Sequence, residues 1–214
     1  MNLFKRLFCK NKENGFKYVD LGLPSGTMWA TCNVGATRPE DSGLLFQFGR
    51  VNGYKYGDSN KFIKKNNIPT TTSSKTYKKY NILELEDDAA HVHMGGKWRM
   101  PTGRYNESGY GYGGDWGELL NNTTHNVVTV NGVKGMMFTS DINGNQLFIP
   151  FMQGYWWNKN WEDWNGFYGG VWSSQVYSSY DKCAYVFYQH SHNSGYVGCF
   201  YRSNAFSVRG VFKK

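Results

Sequence analysis

The chain has 214 residues, enough to close one sizeable core without a second domain. Charged residues are only 19% of it, whereas aromatics reach 18% and glycines number 26, a balance that argues against long helices and for short strands, many turns and aromatic surfaces. The net charge of +8 is concentrated in Lys5, Arg6, Lys10, Lys12 and Lys17 and in Lys61, Lys64, Lys65, Lys75, Lys78 and Lys79, which leaves the remainder close to neutral.

Residues 1–16 read as a basic amphipathic arm and 17–214 as one recognition domain. In the arm, Leu3, Phe4, Leu7 and Phe8 recur on one face of a short helix. Its apolar residues never form the uninterrupted run of a signal peptide, and no stretch of the chain approaches the ~20 apolar residues of a membrane span. The expectation is synthesis in a cytoplasm without a signal peptide and no membrane span.

From Tyr18 the runs YVDLGL, TMWATCNV and LLFQFG predict strands separated by Pro-Ser-Gly, Gly-Ala-Thr and Asp-Ser-Gly turns. The lysine- and threonine-rich stretch 52–81 reads as a surface excursion. LELEDDAAHVHMGG predicts one short helix ending at Gly95-Gly96, with Asp87 and Asp88 near its first turn. KWRMP follows as a strand or bend, then a Gly/Tyr loop from Gly103 to Gly114. DWGELLNN predicts a second helix, with Asp115 as N-cap and Glu118 at the capping-box spacing. Asn131-Gly132 and Asn143-Gly144 mark turns between three strands. The last section, from Tyr155 to Phe212, is a series of short aromatic strands with polar loops.

Reactive constellations are poorly supported. His91 and His93 have no further ligand at a zinc-like spacing, and the acidic run Glu84, Glu86, Asp87, Asp88 lacks the calcium-loop pattern. Cys9, Cys32, Cys183 and Cys199 contain no CxxC pair and read mostly as thiols, although a Cys183 to Cys199 bridge between neighbouring strands is sterically conceivable. The lysines and aromatics are segregated, which argues against nucleic acid. Tyr155, Trp156, Trp157, Trp161, Trp164, Phe167, Tyr168 and Trp172 form an aromatic run in which some rings must be core and others remain for sugars or an interface. QVYSSYDKCAYVFYQHSHNSGYVGCFYRSN, after Trp172, is dominated by Tyr, Ser, His, Asn and Gly, the composition of antibody combining sites, and reads as a binding face.

Three strings carry a family likeness: YVDLGLPSGTMWATCNVGA from Tyr18, EDDAAHVHMGGKWRMPT from Glu86, and VWSS…R..AFSVR from Val171 to Arg209. Together they resemble the "major paralogous domain" proteins of Bacteroidetes, over nearly the whole chain after Phe16. The resemblance implies an α+β, C-type-lectin-like fold related to that of formylglycine-generating enzymes: twisted antiparallel sheets with two short helices and long loops. It implies recognition rather than catalysis, with no cofactor, because neither the copper-binding cysteine pair of those enzymes nor the calcium-sugar motifs of C-type lectins has a counterpart.

The C-terminal stretch is also similar to variable proteins of diversity-generating retroelements, in which mutation of asparagine codons yields Tyr, Ser, His, Asp, Gly, Cys, Phe and Asn. On that likeness Trp172-Ser173-Ser174, Arg202 and Phe206-Ser207-Val208-Arg209 are framework. The ligand-contacting candidates are Tyr177, Ser179, Tyr180, Tyr185, Phe187, His190, His192, Asn193, Tyr196, Phe200, Tyr201, Ser203 and Asn204. The Gly/Tyr loop is an insertion relative to the family, and no lipoprotein signal precedes the domain. The missing lipoprotein signal together with the amphipathic arm favours a bacteriophage virion protein that binds bacterial surface glycan or protein, contacts other virion proteins through residues 1–16 and can form a homo-oligomer. The competing expectations are a structural subunit that uses the same face for assembly, a cytoplasmic location, and an enzyme of the formylglycine-generating type.

Overall fold

The computed structural model describes residues 11–55, 82–105, 111–151, 155–156, 159–160, 167–177, 182–190 and 194–214. The helix expected for Leu3, Phe4, Leu7 and Phe8, the lysine-rich stretch after Lys55 and the central residues of the Gly/Tyr loop lie outside them. So do Trp157, Trp161 and Trp164 of the aromatic run.

The described chain opens with a hairpin, β1 (Lys12–Glu13) and β2 (Phe16–Asp20), turning at Asn14 and Gly15 with positive φ at both. β2 pairs with β3 (Thr27–Asn33), and β3 with the final strand, so that the two ends of the domain meet in one antiparallel sheet. The boundary expected at Phe16 therefore falls too late. Trp98 Nε1 donates to Glu13 O at 3.0 Å and Asn14 Nδ2 to Met94 O, so residues 12–16 are part of the domain.

After β4 (Leu44–Gln47) and β5 (Tyr54–Lys55) comes the segment expected to form one helix. It divides into a 3-10 turn at Leu85–Asp87 and α1 (Ala89–Met94). Asp88 causes the division. Its extended backbone cannot continue the first turn, and its carboxylate caps α1 by accepting from His91 N at 2.9 Å. The other carboxylate oxygen accepts from Met100 N at 2.7 Å, tying α1 to the segment that follows.

β6 (Arg104–Tyr105) and β7 (Tyr112–Gly113), from the two ends of the Gly/Tyr loop, then pair antiparallel and lead into α2 (Gly114–Asn121). The N-cap of α2 is Gly113, not the expected Asp115. Asp115 lies inside the first turn because a stronger partner claims it. Arg99 donates to its two oxygens at 2.7 and 3.0 Å, and Thr102 donates to it through both N–H and hydroxyl at 2.7 Å. Glu118 does not close a capping box but accepts from Ser25 N and Ser25 Oγ.

β8 (Thr123–Val130), β9 (Val133–Ser140) and β10 (Gln146–Pro150) form the expected three-stranded meander. The first turn has positive φ at Asn131 and Gly132, the backbone of a type I′ hairpin, and the second carries positive φ at Gly144.

The largest sheet contains β11 (Tyr155–Trp156), β12 (Lys159–Asn160), β13 (Phe167–Val176), β14 (Cys183–His190), β15 (Ser194–Tyr201) and β16 (Ala205–Ser207), in the order β12-β11-β16-β13-β14-β15. β4 pairs with β16 as a branch carrying β5, and the β13–β16 pair is parallel where the other pairings are antiparallel. β17 (Arg209–Lys213) returns to β3. Among the described residues the fold is thus mostly antiparallel sheet with two short α-helices, and no described helix is long and apolar enough to cross a membrane.

Both faces of the central strands are buried. Met28, Ala30, Trp98, Trp172, Ala184, Val186, Phe206 and Phe212 belong to one core; Trp29, Trp116, Phe138, Tyr185, Phe187, Val197 and Val211 belong to the other. Adjacent residues of β3, β14 and β17 alternate between the two, as a two-residue period requires when a strand runs between two apolar layers.

Candidate functional site

The site is built on β13, β14 and β15, held from behind by the C-terminal framework. Trp172, Ser173, Ser174, Phe206, Ser207, Val208 and Arg209 are all fully buried. Trp172 Nε1 donates to Phe46 O at 2.7 Å, Ser173 Oγ to Gly103 O, and Ser174 N to Pro101 O. Gln175 Oε1 accepts from Gly103 N at 3.1 Å, so the strand that starts the face also anchors the base of the β6–β7 hairpin. Arg209 donates to Ala30 O and Phe148 O, and burial lowers its pKa to about 10. Arg202, also buried, places its guanidinium 5.7 Å from the Phe48 ring.

Of the contact candidates read from sequence, the structure leaves Tyr177, Tyr196, Phe200 and Ser203 half-buried and Tyr201 51% exposed. Three others are corrected. Tyr185 and Phe187 are buried at 1% and 3%, and Asn204 is wholly buried, so none offers a surface to a ligand. Phe187 instead stacks on Trp116 at 4.4 Å with an interplanar angle of 10°, joining the sheet to α2. His190 ends β14 opposite Ser194. Ser179, Tyr180, His192 and Asn193 lie outside the described residues.

Buried Tyr185 is the floor of an aromatic cluster. Tyr177 meets it edge-on at 5.4 Å, and Tyr105 of β6 meets it edge-on at 5.7 Å. Tyr105 also approaches Tyr177 at 6.4 Å and Tyr112 at 6.1 Å. On the opposite face of β14 and β15 a second row runs Tyr196, Tyr188, Phe200, Phe206, with successive centroids 5.8, 5.3 and 5.5 Å apart. The bare Cα of Gly198 lets Tyr188 lie across β15, since a Cβ there would stand 2.5 Å from its ring.

Among the described residues β15 is an edge strand, paired through the sheet with β14. β6 and α2 lie close to it, and the Tyr112 hydroxyl is in hydrogen-bonding reach of the Val197 backbone. The β6–β7 hairpin thus covers part of an edge whose backbone groups would otherwise be open to pairing. Burial drives the Tyr105 pKa up to about 12 and raises those of Tyr112, Tyr188 and Cys199, so these groups stay protonated at neutral pH.

Sequence reasoning did not select Tyr105, Tyr112, Tyr188 or Cys199 as members of the cluster. Tyr188 and Cys199 stood within the Tyr/Ser/His-rich stretch, and the two hairpin tyrosines were visible as a Gly/Tyr loop whose position beside β15 depends on tertiary packing. Elsewhere, His91 Nδ1 lies 3.0 Å from Trp98 O and His93 Nε2 lies 2.8 Å from Val51 O, so both imidazoles serve the α1 region. No group of three or more His, Cys, Asp or Glu among the described residues is arranged to hold a metal ion. Cys32, Cys183 and Cys199 are not joined in a disulfide, and the register sets Cys183 opposite Tyr201 and Cys199 opposite Tyr185. No protein-family model, curated protein or solved structure matches the chain.

Proposed function

We propose that this chain is a non-enzymatic recognition domain of the C-type-lectin-like class, displayed on a bacteriophage particle and binding bacterial surface glycan or protein through the tyrosines around β15. The observation that carries the reading is the division of the C-terminal sequence into two sets. Trp172-Ser173-Ser174 of β13 and Phe206 to Arg209 are locked in the core, while Tyr196, Phe200 and Tyr201 of β15, with Tyr177 just after β13 and Ser203 just after β15, keep solvent-accessible surface. Rigid strands carrying amphipathic rings lose little side-chain entropy on binding, which suits recognition. The sequence likeness to retroelement-diversified proteins favours exchangeable contact positions, and the segment before Asn11 is the natural link to other virion proteins.

The test is titration of labelled protein onto intact Bacteroidetes cells, comparing the native chain with the Tyr196→Ala/Tyr201→Ala variant. Recognition predicts at least a tenfold loss of cell binding, roughly the weight of one or two aromatic hot spots, with the melting temperature unchanged. Undiminished cell binding, with a change in oligomeric state or particle incorporation instead, would overturn the reading in favour of a structural subunit.

A further inference from the structure

The turn between β8 and β9 ties an exposed asparagine to a buried acid. Asn131 and Gly132 have φ of 48° and 83°, and both are exposed. The Asn131 side chain reaches back 91 positions to Glu40, where Nδ2 donates to Oε1 at 2.7 Å. Glu40 is only 5% exposed. Arg38 stands 3.8 Å from it but gives its hydrogen bonds to Asp41, through Nε at 3.2 Å and Nη2 at 2.7 Å. Asn131 therefore supplies this carboxylate with a donor that carries no charge.

An asparagine that precedes glycine is the amide most open to attack by its own backbone, because the glycine nitrogen has no neighbouring side chain to obstruct it. The two Asn-Gly turns of the meander differ in how free that nitrogen is. Gly144 N donates to Ser140 O at 3.0 Å and Asn143 Oδ1 accepts from Asn145 N at 2.9 Å, so both reacting groups are held. Gly132 N has no hydrogen-bond partner among the described residues, and nothing lies within 4 Å of where a Cβ would stand. The Asn14-Gly15 turn shares the open glycine, but its amide faces the Met94 carbonyl, which carries no charge.

We propose that Asn131 is a site of spontaneous deamidation, and that its conversion cuts the tie between the β8–β9 turn and Glu40. The Gly132 nitrogen bonds to Asn131 Cγ, the Cγ–Nδ2 bond breaks, and the Gly132 proton leaves with the amide nitrogen as ammonia. One water then opens the resulting succinimide at either carbonyl, giving aspartate or isoaspartate with no change of oxidation state. Either product carries a free carboxylate in place of the amide donor. Two anions then face each other, one of them buried, while Arg38 is engaged by Asp41, so the contact is lost. The conversion is irreversible, needs only water, and is independent of what the surface around β15 binds.

The experiment incubates the full chain in mildly alkaline buffer, digests it, and follows the peptides spanning Asn131 and Asn143 by mass. The expected result is a gain of about 1 Da at Asn131, arising about fivefold faster or more than at Asn143. Asn131→Asp, which reproduces one product, lowers the melting temperature by about 4 °C or more. The same substitution made on Glu40→Gln lowers it much less, because the opposing charge is gone. Conversion at Asn131 no faster than at Asn143 overturns the proposed site. A melting temperature of Asn131→Asp equal to that of the native chain, or an equal loss on Glu40→Gln, overturns the proposed release. If Asn131→Asp does not fold, the deamidated form separated by ion exchange from the incubated native chain supplies the same melting comparison.

Discussion

At the scale of single residues, the polar groups that matter most are those that refuse their expected local role. Asp115 was legible as a helix-start residue, but its partners Arg99 and Thr102 are 16 and 13 positions away, and local sequence does not disclose which oxygen they will reach. Burial by itself would raise the Asp115 pKa; the hydrogen bonds and charge of Arg99 and the hydrogen bonds of Thr102 outweigh it and hold the carboxylate below its usual range. A lowered folded-state pKa contributes stability that is present above the unfolded value of about 3.9 and is lost as pH falls through the folded value. Asp115→Asn should therefore cost about 3 kcal/mol near neutrality, since it leaves Arg99 without its anion, and much less in strong acid. Denaturant midpoints of the two proteins measured from pH 7 to pH 3 should converge; a constant gap would disprove the ionic role. Asp88 behaves oppositely. Burial raises its pKa despite three backbone hydrogen bonds, so its contribution is greatest below the unfolded value and declines as pH rises through the folded one.

The element scale explains why the contact residues were only partly readable. In an exposed sheet, polar and apolar residues alternate and the sequence names its solvent face. In β14 the run Ala184, Tyr185, Val186, Phe187 serves two cores, so the alternation is between two apolar layers and the palette of a binding face coincides with that of an interior. The residues expected as framework, Trp172 and Phe206 to Arg209, are buried. Hairpins were readable too. Asn131-Gly132 announced a type I′ turn, and with φ of +83° at Gly132, Gly132→Ala should cost about 1 kcal/mol, measurable as a lowered denaturation midpoint. Two glycines on β15 lie under aromatic rings. A Cβ at Gly195 would stand 2.6 Å from the Phe187 ring that stacks on Trp116, and one at Gly198 would stand 2.5 Å from the Tyr188 ring, which packs between Tyr196 and Phe200, so Gly195→Ala and Gly198→Ala should each destabilise by roughly 1–3 kcal/mol, measurable as lowered denaturation midpoints.

For the whole molecule, the meeting of the two chain ends governs what can be removed. The expectation of an arm ending at Phe16 came from composition, since nothing local indicated that Glu13 and Asn14 bind Trp98 and Met94 some eighty residues on. Deleting residues 1–10 should leave the melting temperature unchanged, whereas deleting 1–16 removes β1 and the acceptor of a buried indole and should cost about 1–3 kcal/mol. Thermal denaturation of the two truncations decides it; equal melting temperatures would mean that the first hairpin is dispensable. The overall class, mostly antiparallel sheet with two short helices, was legible because turn signals and short apolar runs recur along the chain. The branching of the largest sheet and the seating of the β6–β7 hairpin beside β15 were not, because both depend on contacts between distant segments.

Saturation mutagenesis of residues 171–209, read by folded yield and by binding to bacterial cells, separates the proposed immovable frame from the proposed exchangeable rim. The account predicts that substitutions at Trp172, Ser173, Ser174, Tyr185, Phe187, Asn204, Phe206 and Arg209 lose both signals together. At Tyr177, Tyr196, Phe200, Tyr201 and Ser203 they should keep folded yield and alter binding alone. If the rim positions proved as intolerant for folding as the frame, or if binding were indifferent to them, the account would be contradicted.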